Sequence, residues 1–138
     1  MGTRRKGREL ALQALYQIDV TGDASAAAVE LFLKHFEGSR EAKDFARRLV
    51  SGVVSQQAEI DRVIGKCTEH WKLLRMAKVD LTILRLATYE LIFCPDIPLN
   101  VSLDEAIEIG KRFGSVDSAT FINGVLDQVA QSSGLKPQ

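Results

Sequence analysis

Basic residues crowd the first eight positions of the chain, and their chemistry suggests a binding function. Arg4, Arg5, Lys6 and Arg8 lie there, and the same eight residues contain no acidic group. An arginine guanidinium can hold phosphate oxygens or stack on a base, and RNA offers both. In a helix, Tyr16 falls on the flank that carries Arg5 and Arg8, where its ring can stack on an unpaired base. The pattern indicates RNA binding, with a merely solvated basic end as the alternative.

A second candidate is the stretch from Lys111 to Ser118, which precedes the last predicted helix. It combines two basic groups, the ring of Phe113 and a glycine turn at Gly114. Backbone N–H groups at a helix N-terminus can bind a phosphate, and Phe121 lies on the shoulder of the helix's apolar face, where its ring can stack on a base. The alternative is that both phenylalanines are core residues and that Gly114 only ends a helix.

Enzyme chemistry finds little support in the sequence. The glycines match neither of the two nucleotide-binding spacings, and nothing resembles a nucleophile elbow, although a Ser–His–Asp arrangement stays open. Cys67 and His70 have the spacing of two zinc ligands, but a structural zinc site needs four. The simpler interpretation makes Cys67 a small buried residue and His70 a surface residue. We expect no catalytic residue, metal or cofactor.

The composition is that of an ordinary globular protein. The chain has 138 residues, 46% hydrophobic and 26% charged, and a formal net charge of zero, so its positive potential is local to the N-terminus. The chain has only two cysteines, far apart in sequence, so we expect no disulfide framework. A reducing cytoplasm is the compartment that fits this composition. Apolar runs stay well below the ~20 residues that span a bilayer, and no signal peptide is recognised. We expect a cytoplasmic protein with no membrane contact.

Apolar residues recur at helical spacing along almost the whole chain, and no strand pattern stands out. The first predicted helix runs from Thr3 to Val20 and ends at Gly22, and a second covers Ser25 to Phe36. The third starts after Ser39 and continues past a bend near Ser55.

The predicted helix from Val79 to Phe93 is apolar on most of its circumference, so it should be central and buried. The next begins near Asn100–Ser102, where Ser102 and Glu105 have capping-box spacing. The last is capped by Asp117 or Ser118. The sequence therefore predicts an all-α bundle of about six to seven helices.

As a set, these residues resemble the NusB family of bacterial transcription antitermination factors. The resemblance runs in order over nearly the whole chain, and it is carried by Arg4–Tyr16, Val79–Asp80, Ile83–Leu91, Asp96–Pro98, Asp104–Glu108, Phe113–Gly114, Asp117–Ser118 and Phe121–Asp127. It implies one NusB-like domain over 1–138, with two packed three-helix-type sub-bundles, at about 1–70 and about 71–132.

The resemblance also implies a function. NusB-like proteins bind the single-stranded boxA element of RNA together with a ribosomal small-subunit protein acting as NusE. The pair nucleates an antitermination complex on RNA polymerase, notably on ribosomal RNA operons. The implied partner surface lies near Tyr16, Asp80 and Arg85. A homodimer of the free protein stays open.

Carried onto this chain, the resemblance adds Gln13 to the basic first helix and places Phe113, Asp117 and Phe121 in the other half of one RNA-binding surface. With the residues singled out above, the predicted RNA contacts are Arg4, Arg5, Lys6, Arg8, Gln13, Tyr16, Lys111, Phe113, Asp117, Ser118 and Phe121. Lys6 and Gly7 depart from the arginine-rich opening, and Gly7 should loosen the helix by about 1 kcal/mol relative to alanine.

Two other functions stay open. NusB-like domains also occur fused in front of RNA cytosine-5 methyltransferases, where they serve as RNA-binding modules; this chain shows no Rossmann-like segment for the methyl donor. A pure protein-interaction bundle with a harmless basic end is the third interpretation.

Overall fold

The computed structural model describes residues 2–136, except for the side chains of residues 70 and 71. The proposed zinc ligand His70 and residues 1, 137 and 138 of the predicted domain therefore lie outside the described parts. Within residues 2–136 the secondary structure is entirely helical, which confirms the all-α prediction. The helices are α1 (Thr3–Thr21), α2 (Ala26–Lys34), α3 (Arg40–Cys67), α4 (His70–Arg75), α5 (Lys78–Phe93), α6 (Leu99–Phe113) and α7 (Ser118–Ser132).

The chain divides into two compact units, Met1–Ser55 and Gln56–Gln138, and the division falls inside α3. The sub-bundles that the resemblance implies, at about 1–70 and about 71–132, stay a prediction. The first unit, called unit 1, contains α1, α2 and the first part of α3. The second, called unit 2, contains the rest of α3 and the remaining helices.

Local chemistry explains the helix ends in unit 1. Gly22 ends α1 in the left-handed conformation, with φ of 77°, and its N–H donates to the carbonyl of Ile18. The Ser25 hydroxyl caps α2 by accepting from the N–H of Ala28. The core of the unit is lined by the apolar faces of the three helices, including Leu10, Ala11, Leu15, Leu33, Ala46, Leu49 and Val53.

In unit 2, α5 packs against both α6 and α7, which also pack against each other. Residues on most of the circumference of α5 are buried, so the predicted central helix is confirmed. Its partners contribute apolar side chains such as Leu103, Ile109, Ile122 and Leu126.

α3 runs through Ser55 as one helix, and the bend near that residue stays a prediction. One predicted detail of the helices is wrong. Ser102 does not cap α6, which begins at Leu99 after Pro98. Ser102 is instead buried inside the helix, and its hydroxyl donates to the carboxylate of Glu90 at 3.0 Å. A buried carboxylate needs such a donor, and this requirement explains the serine better than a cap does. Among the described residues, none of the helices is long and apolar enough to cross a membrane.

Candidate functional site

The basic end of α1 divides into exposed and packed residues. Arg4 and Arg5 are exposed and Lys6 is half-buried, whereas Arg8 is only 2% exposed. The first turn of α1 contains no acidic residue, and its N-cap, Gly2, provides no side-chain hydrogen bond. This helix end therefore supplies no carboxylate from its own first turn, and the macrodipole disfavours cations there.

Arg8 is buried because α1 and α3 approach each other closely. A Cβ atom on Gly7 would lie 2.8 Å from the carbonyl oxygen of Ala42 and 2.9 Å from Cδ2 of Phe45. Only glycine fits there, so Gly7 permits the contact rather than merely loosening the helix. The guanidinium groups of Arg4 and Arg8 lie 5.0 Å and 5.3 Å from the centroid of the Phe45 ring. Arg8, expected as an RNA contact, thus packs inside unit 1 and offers almost no surface.

Further along α1, the two polar residues suggested by the resemblance remain accessible. Gln13 is half-buried, and Tyr16, one helical turn later, is 40% exposed. An amide and a phenol at this spacing lie on neighbouring positions of one helix face. The face therefore presents hydrogen-bonding groups and an aromatic ring to solvent.

In unit 2, the turn between α6 and α7 is held by Ser118. Its hydroxyl accepts from the N–H of Ser115 at 2.8 Å and donates to the carboxylate of Asp80 at 2.7 Å. A Cβ atom on Gly114 would lie 2.3 Å from that hydroxyl oxygen and 2.8 Å from the carbonyl oxygen of Gly110. Ser118 is 1% exposed, so it fixes the turn to the first turn of α5 and presents no surface to a ligand.

The outer side of the same turn is basic and apolar. Lys111 is exposed and pairs with Glu108, while the guanidinium of Arg112 lies 5.4 Å from the centroid of the half-buried Phe113 ring. Asp117 is exposed, and Phe121 is 38% exposed. Phe121 therefore lies partly at the surface, as its position on the shoulder of the apolar face predicts, and not in the core. Arginine over an aromatic ring forms a flat surface of the kind on which bases stack.

Val116 projects from the tip of this turn with 94% of its surface exposed. The sequence interpretation counted Arg112 among the basic groups of this stretch without predicting it as an RNA contact, and it passed over Val116. The signal that could have identified Val116 is its position between Ser115 and Asp117, two residue types that favour turns at the protein surface. Arg112 could have been identified from its place directly before Phe113.

The residues expected to contact a protein partner are mostly engaged within unit 2. Arg85 donates two hydrogen bonds to the carboxylate of Asp61, at 2.8 Å and 2.9 Å. Asp80 accepts from Ser118, as described above. Such a bidentate, largely buried pair is geometrically specific and ties α5 to the end of α3. Of the three expected partner residues, Tyr16 is the exposed one.

Groups suited to metal binding are not clustered in the described residues, where no set of three or more His, Cys, Asp or Glu side chains converges. The Cys67 thiol lies 3.6 Å from the hydroxyl of Ser132. Among the described residues, the pKa of the exposed Asp23 is lowered by hydrogen bonding to Ser25, and the other shifts belong to two exposed ion pairs. Hydrogen bonding to Arg47 lowers the pKa of Glu30, and hydrogen bonding to Arg62 lowers that of Glu59.

Comparison with known proteins places the chain among NusB proteins. The sequence model of the NusB family matches residues 5–131. The transcription antitermination protein NusB of Desulfatibacillum aliphaticivorans is 48% identical over 129 residues, which cover 94% of this chain and 90% of that protein.

Solved structures agree. NusB from T. maritima has a TM-score of 0.83 at 40% identity, covering 93% of this chain and 90% of that one. A chain from the crystal structure of antitermination factors NusB and NusE in complex with dsRNA has a TM-score of 0.85 at 25% identity, covering 96% of this chain and 98% of that one.

The helices, the exposed arginines and the exposed aromatic rings define an all-helical protein that carries the side-chain types used to bind nucleic acid. The chain belongs to the NusB family, whose curated relatives are transcription antitermination proteins.

Proposed function

We propose that this chain is a non-catalytic transcription antitermination factor that binds single-stranded, boxA-like RNA. The observation that carries the proposal is the exposed pair Arg4 and Arg5 at an uncapped helix end, in a chain whose net charge is zero. A neutral protein gains no general affinity for RNA, so its binding depends on such a local concentration of charge.

The exposed rings favour an unpaired strand over a duplex. Tyr16, Phe113 and Phe121 each present part of an aromatic ring, and stacking on such a ring is worth roughly 1–3 kcal/mol per base. Bases in an A-form duplex are already stacked on one another and are not available for this contact. Arg4, Arg5, Lys6 and Lys111 would hold phosphates, and Gln13 and Asp117 offer hydrogen bonds to bases.

The packed members of the predicted set act through their neighbours. Arg8 would hold the basic end of α1 against Phe45, and Ser118 would hold the turn that displays Phe113 and Phe121. These are positioning residues, because neither side chain has surface to offer.

We further propose that the ribosomal small-subunit protein acting as NusE is the protein partner, and that the pair joins an antitermination complex on RNA polymerase at ribosomal RNA operons. The solved complex of NusB and NusE with dsRNA supports the choice of protein partner. Tyr16 is our candidate for a direct contact with the partner. Asp80 and Arg85 would act indirectly, by holding α5 in place through their hydrogen bonds to Ser118 and Asp61.

The test is a titration of four labelled RNAs by fluorescence anisotropy, each with and without the ribosomal protein. The RNAs are a boxA-like single strand, a scrambled single strand, and the duplex form of each. We expect tighter binding of the boxA-like strand than of the other three, and a further gain when the ribosomal protein is added. Equal binding of strand and duplex contradicts the stacking argument. Absence of binding to any RNA, with the ribosomal protein present, favours the protein-interaction bundle instead.

A further inference from the structure

A groove runs between α1 and α2 in unit 1, and we call it the α1–α2 groove. Its volume is about 470 Å³, and its walls include Ile18 of α1, Leu31 and Phe32 of α2, and Phe36 just after α2. The predicted RNA contacts, all in the described part of the chain, lie outside its lining. The groove is therefore a surface that the proposed function does not use.

The middle and one end of the α1–α2 groove are apolar. Ile18 and Phe32 are half-buried, whereas Leu31 is 61% exposed and Phe36 is 36% exposed. The ring centroids of Phe32 and Phe36 lie 4.6 Å apart, so the two rings form one continuous apolar surface. Covering such a surface with apolar side chains of a partner is favourable, because it removes apolar area from water.

The other end of the α1–α2 groove is negatively charged. Among the described residues that line it, Asp23 alone carries a formal charge at pH 7. Its carboxylate accepts from the N–H of Ser25 at 3.0 Å, and no basic side chain in the described part of the chain pairs with it. The hydrogen bonding to Ser25 lowers the pKa of Asp23, so the carboxylate stays charged. The last turn of α1 contains no basic residue, and the C-terminal end of a helix dipole also favours a cation.

The charged and aromatic ends of the groove are well separated. α2 has nine residues and is therefore about 13 Å long, and Asp23 and Phe36 lie beyond its opposite ends. One side chain cannot reach both. A helix laid along a groove between two helices places residues two turns apart at positions about 10 Å apart, which suits this separation.

The groove on the other side of α2 has the opposite charge. It shares Leu31 with the α1–α2 groove, but its lining includes Lys34, Lys43 and Arg47. Glu30 also lines it, and Arg47 donates to that carboxylate at 2.6 Å and 3.0 Å. The two lysines therefore set the sign of the local potential, which repels a basic segment and leaves it the α1–α2 groove.

We propose that the α1–α2 groove binds a basic amphipathic helix of a protein partner. Apolar side chains of that helix would cover Phe32 and Phe36, and an arginine or lysine two turns away would lie at Asp23. Because the groove is separate from the proposed RNA contacts, this inference goes beyond the proposed function and does not rest on it. It gives the chain a second binding surface, through which an RNA-bound copy can hold a protein.

The test uses fluorescence anisotropy with labelled, alanine-based helical peptides. The first peptide carries leucines at helical spacing on one face and a single arginine two turns away from them. Two matched peptides replace the arginine by citrulline, which keeps its shape and removes its charge, or by glutamate.

Three variants of the chain are compared with the wild type. Asp23→Asn removes the charge and keeps an oxygen that can accept from Ser25, and Phe36→Ala removes one ring of the apolar end. Asp104→Asn, at an exposed acid of α6, is the control for the loss of one negative charge. Thermal unfolding checks that each variant is folded.

We expect the wild-type chain to bind the arginine peptide roughly fivefold more tightly than the citrulline peptide, and the glutamate peptide more weakly than either. Asp23→Asn should abolish the preference for arginine over citrulline. Phe36→Ala should weaken both of these peptides by the same factor, because it acts on the apolar end. Asp104→Asn should change neither affinity, and Asp23→Asn should leave RNA binding unchanged.

The inference is overturned if no peptide binds, if arginine and citrulline peptides bind the wild type equally, or if Asp23→Asn retains the preference. Tighter binding of the glutamate peptide also overturns it, since that result assigns the occupant to the lysine-lined groove. Sedimentation velocity tests the remaining occupant, a second copy of the chain. A dimer that Phe36→Ala dissociates, together with failure of the peptides to bind, would make the groove an interface between copies. Loss of RNA binding in Asp23→Asn would contradict the separation of the two surfaces.

Discussion

The basic end of α1 and the turn between α6 and α7 use their polar residues in opposite ways. In α1 the outermost arginines, Arg4 and Arg5, face solvent, and one charge, Arg8, is buried under them against a ring. In the turn, the hydroxyl of Ser118 makes hydrogen bonds inside the protein, and the exposed side chains are those of Phe121 and Val116. The first region presents charged side chains supported by a packed ring. The second presents apolar side chains supported by buried hydrogen bonds. Exposure therefore follows the packing of each helix end and not the polarity of its residues.

The largest effect is expected from Gly114→Ala, which tests how tightly the turn between α6 and α7 is packed against Ser118. The new methyl group would overlap Ser118 and the carbonyl of Gly110, so we expect destabilisation by about 1–3 kcal/mol or more. Gly124→Ala on α7 is the control, because a Cβ atom there meets nothing within 4 Å, and it should stabilise the helix by up to about 1 kcal/mol. Urea unfolding measures both. Equal effects of the two substitutions would mean that the turn is not tightly held.

The next largest effects are expected on RNA affinity, where two substitutions distinguish phosphate contacts from base stacking. Arg5→Ala should weaken binding about tenfold and reduce the salt slope by about 0.7. Phe121→Ala should cost about 1–3 kcal/mol of binding free energy with an unchanged slope, because stacking releases no counterion. Anisotropy titrations over a range of salt distinguish the two. A reduced slope for Phe121→Ala would contradict the assignment of stacking to the turn.

A smaller loss of stability is expected from Gly7→Ala, which tests the close packing of α1 against α3. Alanine improves helix propensity by about 1 kcal/mol, but its methyl group would meet the backbone of Ala42, so a net destabilisation of about 1 kcal/mol remains. Urea unfolding against the same Gly124→Ala control measures it. A stabilised Gly7→Ala variant would show that α1 and α3 have room to separate.

The smallest effect is expected from the exposed pair of Glu30 and Arg47. The hydrogen bond to Arg47 lowers the pKa of Glu30 in the folded chain, so the pair stabilises the fold above the pKa of unfolded glutamate. That contribution is lost as the pH falls below about 4 and through the folded-state pKa. The Tm of Glu30→Gln should therefore lie slightly below that of the wild type at pH 7 and equal it at low pH. A difference that persists in acid would show that the pair acts by packing rather than by charge.

Much of the fold could be predicted from local sequence patterns. Gly22 and Ser25 mark helix ends because the left-handed C-cap and the hydroxyl N-cap depend on one or two residues. The buried α5 follows from its nearly continuous apolar surface. The capping-box prediction at Ser102 failed because the same serine-to-glutamate spacing occurs inside α6, where Glu90 of another helix needs the hydroxyl.

The candidate site could be predicted only in part. Exposed Arg4, Arg5, Tyr16 and Phe121 lie where helical spacing puts them. Arg8 carries the same signal as its neighbours, yet it is buried because Gly7 brings α3 close to it. No local pattern reports which helix will pack against a given face.

The sequence by itself determined the helical segments, the family, and the concentration of positive charge at the start of α1, because these depend on residue type and spacing along one chain. Only the tertiary structure decided which of the basic residues are available. It buried Arg8, joined Ser118 to Asp80, and placed Arg48 of α3 beside the same ring as Arg4. The physical reason is that the exposure of a side chain and its contacts depend on which helices pack together. Those helices are distant in sequence, so no local pattern reports the pairing.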